Sequence, residues 1–319
     1  MKKVNNKLAG ILVAGTMGFG GVAQAADLVI GVPNWPSVAM TADILKVVIE
    51  DNYGLEVELQ NGTNPVVFEA MDGGSMHVHP EVWLPNQANL YQTYVEEKGT
   101  VSMNPNGVAA FQGMCVTKAT AERTGISAIS DLTDPDMAVN FDEDGDGMGE
   151  VWIGASGWAS TNVEKVRAKS YGYDVTMNLL EMDETLAMAE VDAAVAKNEN
   201  IVFFCYTPNH VFALHDLVIL EEPAYDESKW TMIQPTDDPD WLEKSSTPVA
   251  WDLAYLHIHY ASSLKDSHPE VASMLGSVKL DTDLVSAMTY AIVVDKVDTA
   301  EYAKQWVSDH ADLVNSWLQ

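Results

Sequence analysis

The sequence predicts an α/β protein made of two lobes. Three observations carry this. Apolar, strand-like runs alternate with helix-like stretches, the alternation occurs once near the start and again in the middle of the chain, and hydrophobic residues make up 47% of the whole. That is enough apolar material for a core in each of two units.

The first alternation starts with a strand over 27–32, the loop Pro33-Asn34-Trp35-Pro36 and a helical pattern over 39–50. A second strand covers 55–60. Thr63-Asn64-Pro65 reads as a helix start, a capping side chain ahead of a proline in the first turn. That helix covers 66–71, Gly73-Gly74 ends it, and a third strand follows at 76–82. This order points to a parallel sheet. The second alternation has strands at 113–117 and 152–155, helices at 160–171 and 183–197, an apolar strand at 201–206 and a short strand at 217–220. From about Thr247 the chain reads as helical, ending in Trp-containing segments at 300–307 and 311–318. Crossings between lobes are expected near Gly113 and Val218. Residues 26–112 and 219–319 then form a discontinuous first lobe and residues 113–218 the second. A cleft between such lobes is a natural ligand site.

The N-terminus reads as a signal peptide over residues 1–25. Lys2, Lys3 and Lys7 precede an apolar stretch over 8–22, and Ala23-Gln24-Ala25 is a small-x-small cleavage site with no lipobox cysteine. No other run reaches ~18 uninterrupted apolar residues. The mature chain is therefore expected as a monomer in the periplasm. Its charge is lopsided, 17 basic against 47 acidic residues. This argues against nucleic acid and anionic membranes as partners and suits a solvated surface in salty water. Cys115 and Cys205 both lie in apolar runs, where a disulfide and buried free thiols are equally open.

Four of the aromatic residues follow one rule. Trp35, Trp83, Trp158 and Tyr206 each sit just past or at the carboxyl end of an expected strand, flanked by Pro, Gly or Asn. In open α/β sheets that edge binds ligands. Trp251 is a fifth candidate. Trp306 and Trp317, at helical spacing with Val and Leu, read as core. A methylated ammonium cannot donate strong hydrogen bonds, and ring faces supply the negative quadrupole and apolar contact it needs, about 0.5–2 kcal/mol for each desolvated contact. Micromolar binding needs about 8 kcal/mol, within reach of three or four rings plus methyl burial. Glu81, two residues before Trp83, reads either as an added carboxylate for the ligand or as a strand-end surface charge.

A second motif is Asp142-Glu143-Asp144-Gly145-Asp146-Gly147, which matches the opening of an EF-hand-type Ca²⁺ loop. Asp142, Asp144, Asp146, the Met148 carbonyl and Glu150 are the candidate ligands. The twelfth position is Ile153 rather than a bidentate Glu. So dense a carboxylate cluster repels itself without a cation, which favours structural Ca²⁺ over a merely hydrated turn. The pairs His77-x-His79 and His257-x-His259 alternate as on a strand and read as ordinary surface or core histidines.

His79-Pro80-Glu81-Val82-Trp83-Leu84-Pro85-Asn86, Gly157-Trp158 ahead of a helix, and Tyr206-Thr207-Pro208, in that order, resemble the periplasmic binding proteins of ABC importers for glycine betaine, choline and related compounds. The resemblance spans essentially the whole mature chain. It implies a type II two-lobe periplasmic binding protein fold, a cage of Trp35, Trp83, Trp158 and Tyr206 drawn from both lobes, and an ABC permease in the inner membrane as partner. At the position of Tyr206 some relatives carry Trp. Among branches, the chain is most similar to the trimethylamine N-oxide binders.

The ligand's charge gives a separate clue. The only arginines are Arg123 and Arg167, and neither is placed to clamp a carboxylate. Backbone N–H groups around Ser160-Thr161-Asn162 and indole N–H groups remain, a supply that suits a small N-oxide oxygen. Glycine betaine and choline stay open as alternatives. A metal-dependent periplasmic enzyme would need a nucleophile or general base beside the aspartate loop, and the sequence offers none, so no catalytic residue is assigned.

Overall fold

In the computed structural model, which describes residues 26–319, ten strands join into one curled mixed sheet. They are β1 (Leu28–Val32), β2 (Val57–Asn61), β3 (Val78–Leu84), β4 (Val101–Met103), β5 (Val108–Thr117), β6 (Gly149–Gly154), β7 (Met177–Glu181), β8 (Val202–Thr207), β9 (Leu217–Ile219) and β10 (Ala254–Ala261). The order is β2-β1-β3-β10-β5-β8-β6-β7, with β4 on β10 and β9 on β5. The signal-peptide assignment falls on residues 1–25 and lies outside the described residues.

Two α/β lobes result. In the first, β1 pairs parallel with β2 and β3. The helices α1 (Pro36–Tyr53) and α2 (Asn64–Gly73) connect them. Trp35 caps α1 in an extended conformation with Pro36 in the first turn, and Gly54 closes the helix at φ 67°, which a glycine adopts without strain. Thr63, Pro65 and Gly74 punctuate α2 in the same way. In the second lobe β6 pairs parallel with β7 and β8, linked by α3 (Ala159–Tyr171) and α4 (Glu184–Lys197). After a single helical turn at Leu264–Ser267, four longer helices, α5 (Pro269–Ser277), α6 (Thr282–Val293), α7 (Thr299–Asp309) and α8 (Ala311–Trp317), follow β10. Trp306 and Trp317 are buried there in one core with α1.

Two expectations are corrected. The final third is not wholly helical: β10 runs antiparallel between β3 and β5, at the centre of the sheet. Its alternation, Ala254-Tyr255-Leu256-His257-Ile258-His259, is that of a strand. The first change of partner falls beside Gly113, where β5 leaves β10 after Ala110 and joins β8 at Phe111. The return does not occur near Val218. Leu220 bonds back to Met114, Arg167 donates to the Val249 carbonyl and Asn162 to Gln234, so the chain stays on the second lobe until β10. Backbone and side-chain partners distant in sequence set that boundary, and composition does not.

Cys115 and Cys205 form a disulfide between the adjacent strands β5 and β8, Cα atoms 5.7 Å apart. With the two cysteines 90 positions apart, closing this loop contributes about 2–4 kcal/mol to stability. Among the described residues no helix is long and apolar enough to cross a membrane.

Candidate functional site

The carboxyl ends of β1, β3, β6 and β8 face one another across the two lobes. Trp35 follows β1 as the cap of α1, and Trp83 lies near the end of β3. Trp158 caps α3 a few residues beyond β6, and Tyr206 lies near the end of β8. Gly154 makes the tight passage from β6 to α3 possible. Its φ is 121°, and a Cβ there would lie 2.3 Å from Thr161 Oγ1 and 3.4 Å from the Trp158 ring. The strands β3 and β8 both end in cis peptide bonds, Leu84–Pro85 and Thr207–Pro208.

The four rings come together edge to face. Trp35 meets Trp158 at 6.2 Å between centroids, Trp158 meets Tyr206 at 6.1 Å, and Tyr206 meets Trp83 at 5.3 Å. They enclose a cavity of ≈ 40 Å³, also lined by Phe204, Ala159, Ser160, Asn64, Asn86, Gln87 and Gln112. Among the described residues no charged side chain lines it. Trp152 backs Trp158 at 6.0 Å, so that wall rests on a packed aromatic cluster.

Glu81 and Trp251 fall outside the lining. Glu81 is buried behind the rings, where Oε1 accepts from Trp35 Nε1 at 2.8 Å, Ser37 Oγ at 2.8 Å and Trp83 Nε1 at 3.1 Å. It orients two walls of the cage, neither a strand-end surface charge nor a group facing the cavity. Trp251 stands behind Phe204, 6.4 Å between ring centroids, and its indole N–H donates to Glu164. Arg167 is fully buried against Glu164, Glu222 and the Val249 carbonyl, away from the cavity, and Arg123 bonds to Asn198, Glu199 and Asn200.

The indole donors expected for a ligand oxygen are therefore already engaged. Trp35 and Trp83 give theirs to Glu81, and Trp158 gives its own to the Asn34 carbonyl at 3.3 Å. What remains at the cavity is the first turn of α3, which has no side-chain cap, and four amide side chains.

Glu184, which the sequence reading did not single out, mirrors Glu81 in the second lobe. Its Oε1 accepts from Tyr206 Oη at 2.5 Å and Asn209 Nδ2 at 2.7 Å. Burial pushes both carboxyls up to about 7, against the pull of those hydrogen bonds. Phe204 also escaped notice, although strand alternation places it on the same face as Tyr206.

The aspartate loop precedes β6. One oxygen each of Asp142, Asp144, Asp146 and Glu150 lies within 4.8 Å of the others. The loop turns through Gly145 and Gly147 at φ 83° and 93°, and Met148 N–H bonds Asp146. Ile153 is buried in β6. His79 and His259 are buried core residues, and neither belongs to a metal-type cluster among the described residues.

Two α/β lobes meeting over an uncharged aromatic cavity are the build of a solute-binding protein. The chain belongs to the OpuAC family, the substrate binding domain of ABC-type glycine betaine transport systems, which matches residues 26–309. It is 25% identical, over 97% of both chains, to the trimethylamine N-oxide-binding protein of Pelagibacter ubique. To the glycine betaine-binding periplasmic protein OusX of Dickeya dadantii it is 23% identical, covering 74% of this chain and 72% of the relative. Its fold matches lactococcal OpuAC in its closed-liganded conformation with glycine betaine at TM-score 0.69, with 18% identity over 92% of this chain and 99% of the other. It also matches an ABC-transporter choline binding protein in complex with choline at TM-score 0.70, with 17% identity over 91% of both.

Proposed function

We propose that the protein captures trimethylamine N-oxide in the periplasm and delivers it to the permease of an ABC importer, with no chemical step of its own. The observation that carries this is the cage itself, four rings from two lobes around a small cavity that no charged side chain lines. Ring faces hold the methyl groups, and the buried Glu81 and Glu184 add negative potential from behind. No arginine reaches the cavity to clamp a carboxylate, which favours the N-oxide over a betaine. The likeness to the Pelagibacter protein supports the same ligand.

Glycine betaine is the second reading. The uncapped first turn of α3 offers backbone N–H groups to a carboxylate, and several relatives are glycine betaine binders. Titration of intrinsic Trp fluorescence separates the readings. Saturation by trimethylamine N-oxide at a lower concentration than by glycine betaine or choline is the expected result. The reverse order transfers the assignment to glycine betaine or choline.

Export to the periplasm rests on the signal-type N-terminus and agrees with the disulfide. The aspartate loop is assigned a structural Ca²⁺ held by Asp142, Asp144, Asp146, Glu150 and the Met148 carbonyl. Four clustered carboxylates are a hard-oxygen donor set suited to that ion.

A further inference from the structure

Asn64 opens α2 at the edge of the cage, and its side-chain oxygen lies 2.7 Å from His79 Nε2. His79, on β3, is fully buried. Its other nitrogen, Nδ1, accepts the Glu81 backbone N–H at 3.2 Å. A ring nitrogen that accepts carries no proton, so the one hydrogen of the neutral imidazole sits on Nε2 and is donated to Asn64 Oδ1. Burial, reinforced by the neighbouring His259, holds this imidazole well below the usual histidine range. Turning the Asn64 amide over would set two N–H groups against each other, so a single orientation satisfies the pair.

The Asn64 NH₂ group then points away from His79, and among the described residues it meets no protein acceptor. Asn64 lines both the cavity and the adjoining mouth of the cleft, as Trp35 and Trp158 do. Of the other lining amides, Asn86 and Gln112 close on each other at 2.6 and 2.9 Å, and among the described residues the Gln87 amide has no hydrogen-bond partner.

We infer that Asn64 reads the ligand's oxygen: its amide N–H, aimed by His79, donates to an oxygen on the methylated nitrogen, so the cage prefers N-oxides to fully methylated ammonium ions without one. This rests on the methylated-amine reading above and names the residue that sets its selectivity.

The test is calorimetric titration of the mature protein and its Asn64→Asp variant with trimethylamine N-oxide and with tetramethylammonium. Aspartate keeps one oxygen for His79 and turns an acceptor toward the cavity. Binding of the N-oxide should weaken about tenfold or more, while tetramethylammonium binding holds or tightens. Asn64→Ala, which removes the donor without adding charge, should lose N-oxide affinity alone, and it serves if the aspartate variant fails to fold. Gln87→Ala, at another amide on the cavity, should change the ratio of the two affinities far less than Asn64→Ala does. Equal weakening of both ligands, an unchanged ratio, or transfer of the selectivity to Gln87 overturns the inference. If the parent protein binds neither ligand, the methylated-amine reading itself fails and this inference falls with it.

Discussion

Glu81 and Glu184 stand one behind each side of the aromatic cluster, and among the described residues neither is paired with a basic side chain. Burial raises both to about 7. In the pH window between the ordinary carboxyl value of 4.5 and about 7, the folded state holds protons that the unfolded chain has released. These groups therefore lower stability as pH rises through that window, and the cost is complete above it. Binding follows the opposite sign, because a permanently cationic methylated ammonium draws on the ionised carboxylates. Its affinity should rise severalfold from about pH 5.5 to about pH 8, and Glu81→Gln should flatten part of that rise. Fluorescence titration with choline across this range reads it, and a flat profile in the parent protein contradicts the account. The sequence set Glu81 two residues before Trp83 and left it open between a carboxylate for the ligand and a strand-end surface charge. That Trp35 reaches the same carboxylate from another element depends on long-range packing and was not legible.

At the scale of elements, the rule of rings at strand ends picked out four rings that the fold brings together, because strand periodicity and Pro/Gly punctuation are local signals. Strand pairing is not local. The central β10 pairs with residues more than a hundred positions away and the partner exchange in β5 joins residues 86 to 96 apart, and the reading from Thr247 onward missed the strand even while its His257/His259 alternation was in view. The aspartate loop is local in sequence and equally local in space. It leads directly into β6, whose far end carries Gly154 and then Trp158, so an ion there would stiffen one wall. At a hundredfold excess over its dissociation constant such an ion adds about 2.7 kcal/mol. A chelator should therefore lower the melting temperature by several degrees, with recovery on adding Ca²⁺ back. A melting curve unmoved by chelation marks the loop as a hydrated acidic turn.

Over the whole molecule, the cage exists only while the lobes are together. Trp35 and Trp83 come from the first lobe, Trp158 and Tyr206 from the second, and Asn34 bonds to Asp183 across the cleft at 3.1 Å. A ligand held by both pairs of rings stabilises that closed arrangement by its differential affinity for it. The net charge of −30 favours cationic groups at long range, but salt screens it within about 10 Å at 0.1 M, so selectivity has to come from the cavity. The most direct measurement is isothermal titration of trimethylamine N-oxide into the parent protein and into Trp158→Ala. The parent should bind saturably in the micromolar range, and removal of this ring should weaken binding about tenfold or more, the loss of one desolvated ring contact and its methyl burial. No saturable heat with the parent, or full affinity retained in Trp158→Ala, contradicts the cage.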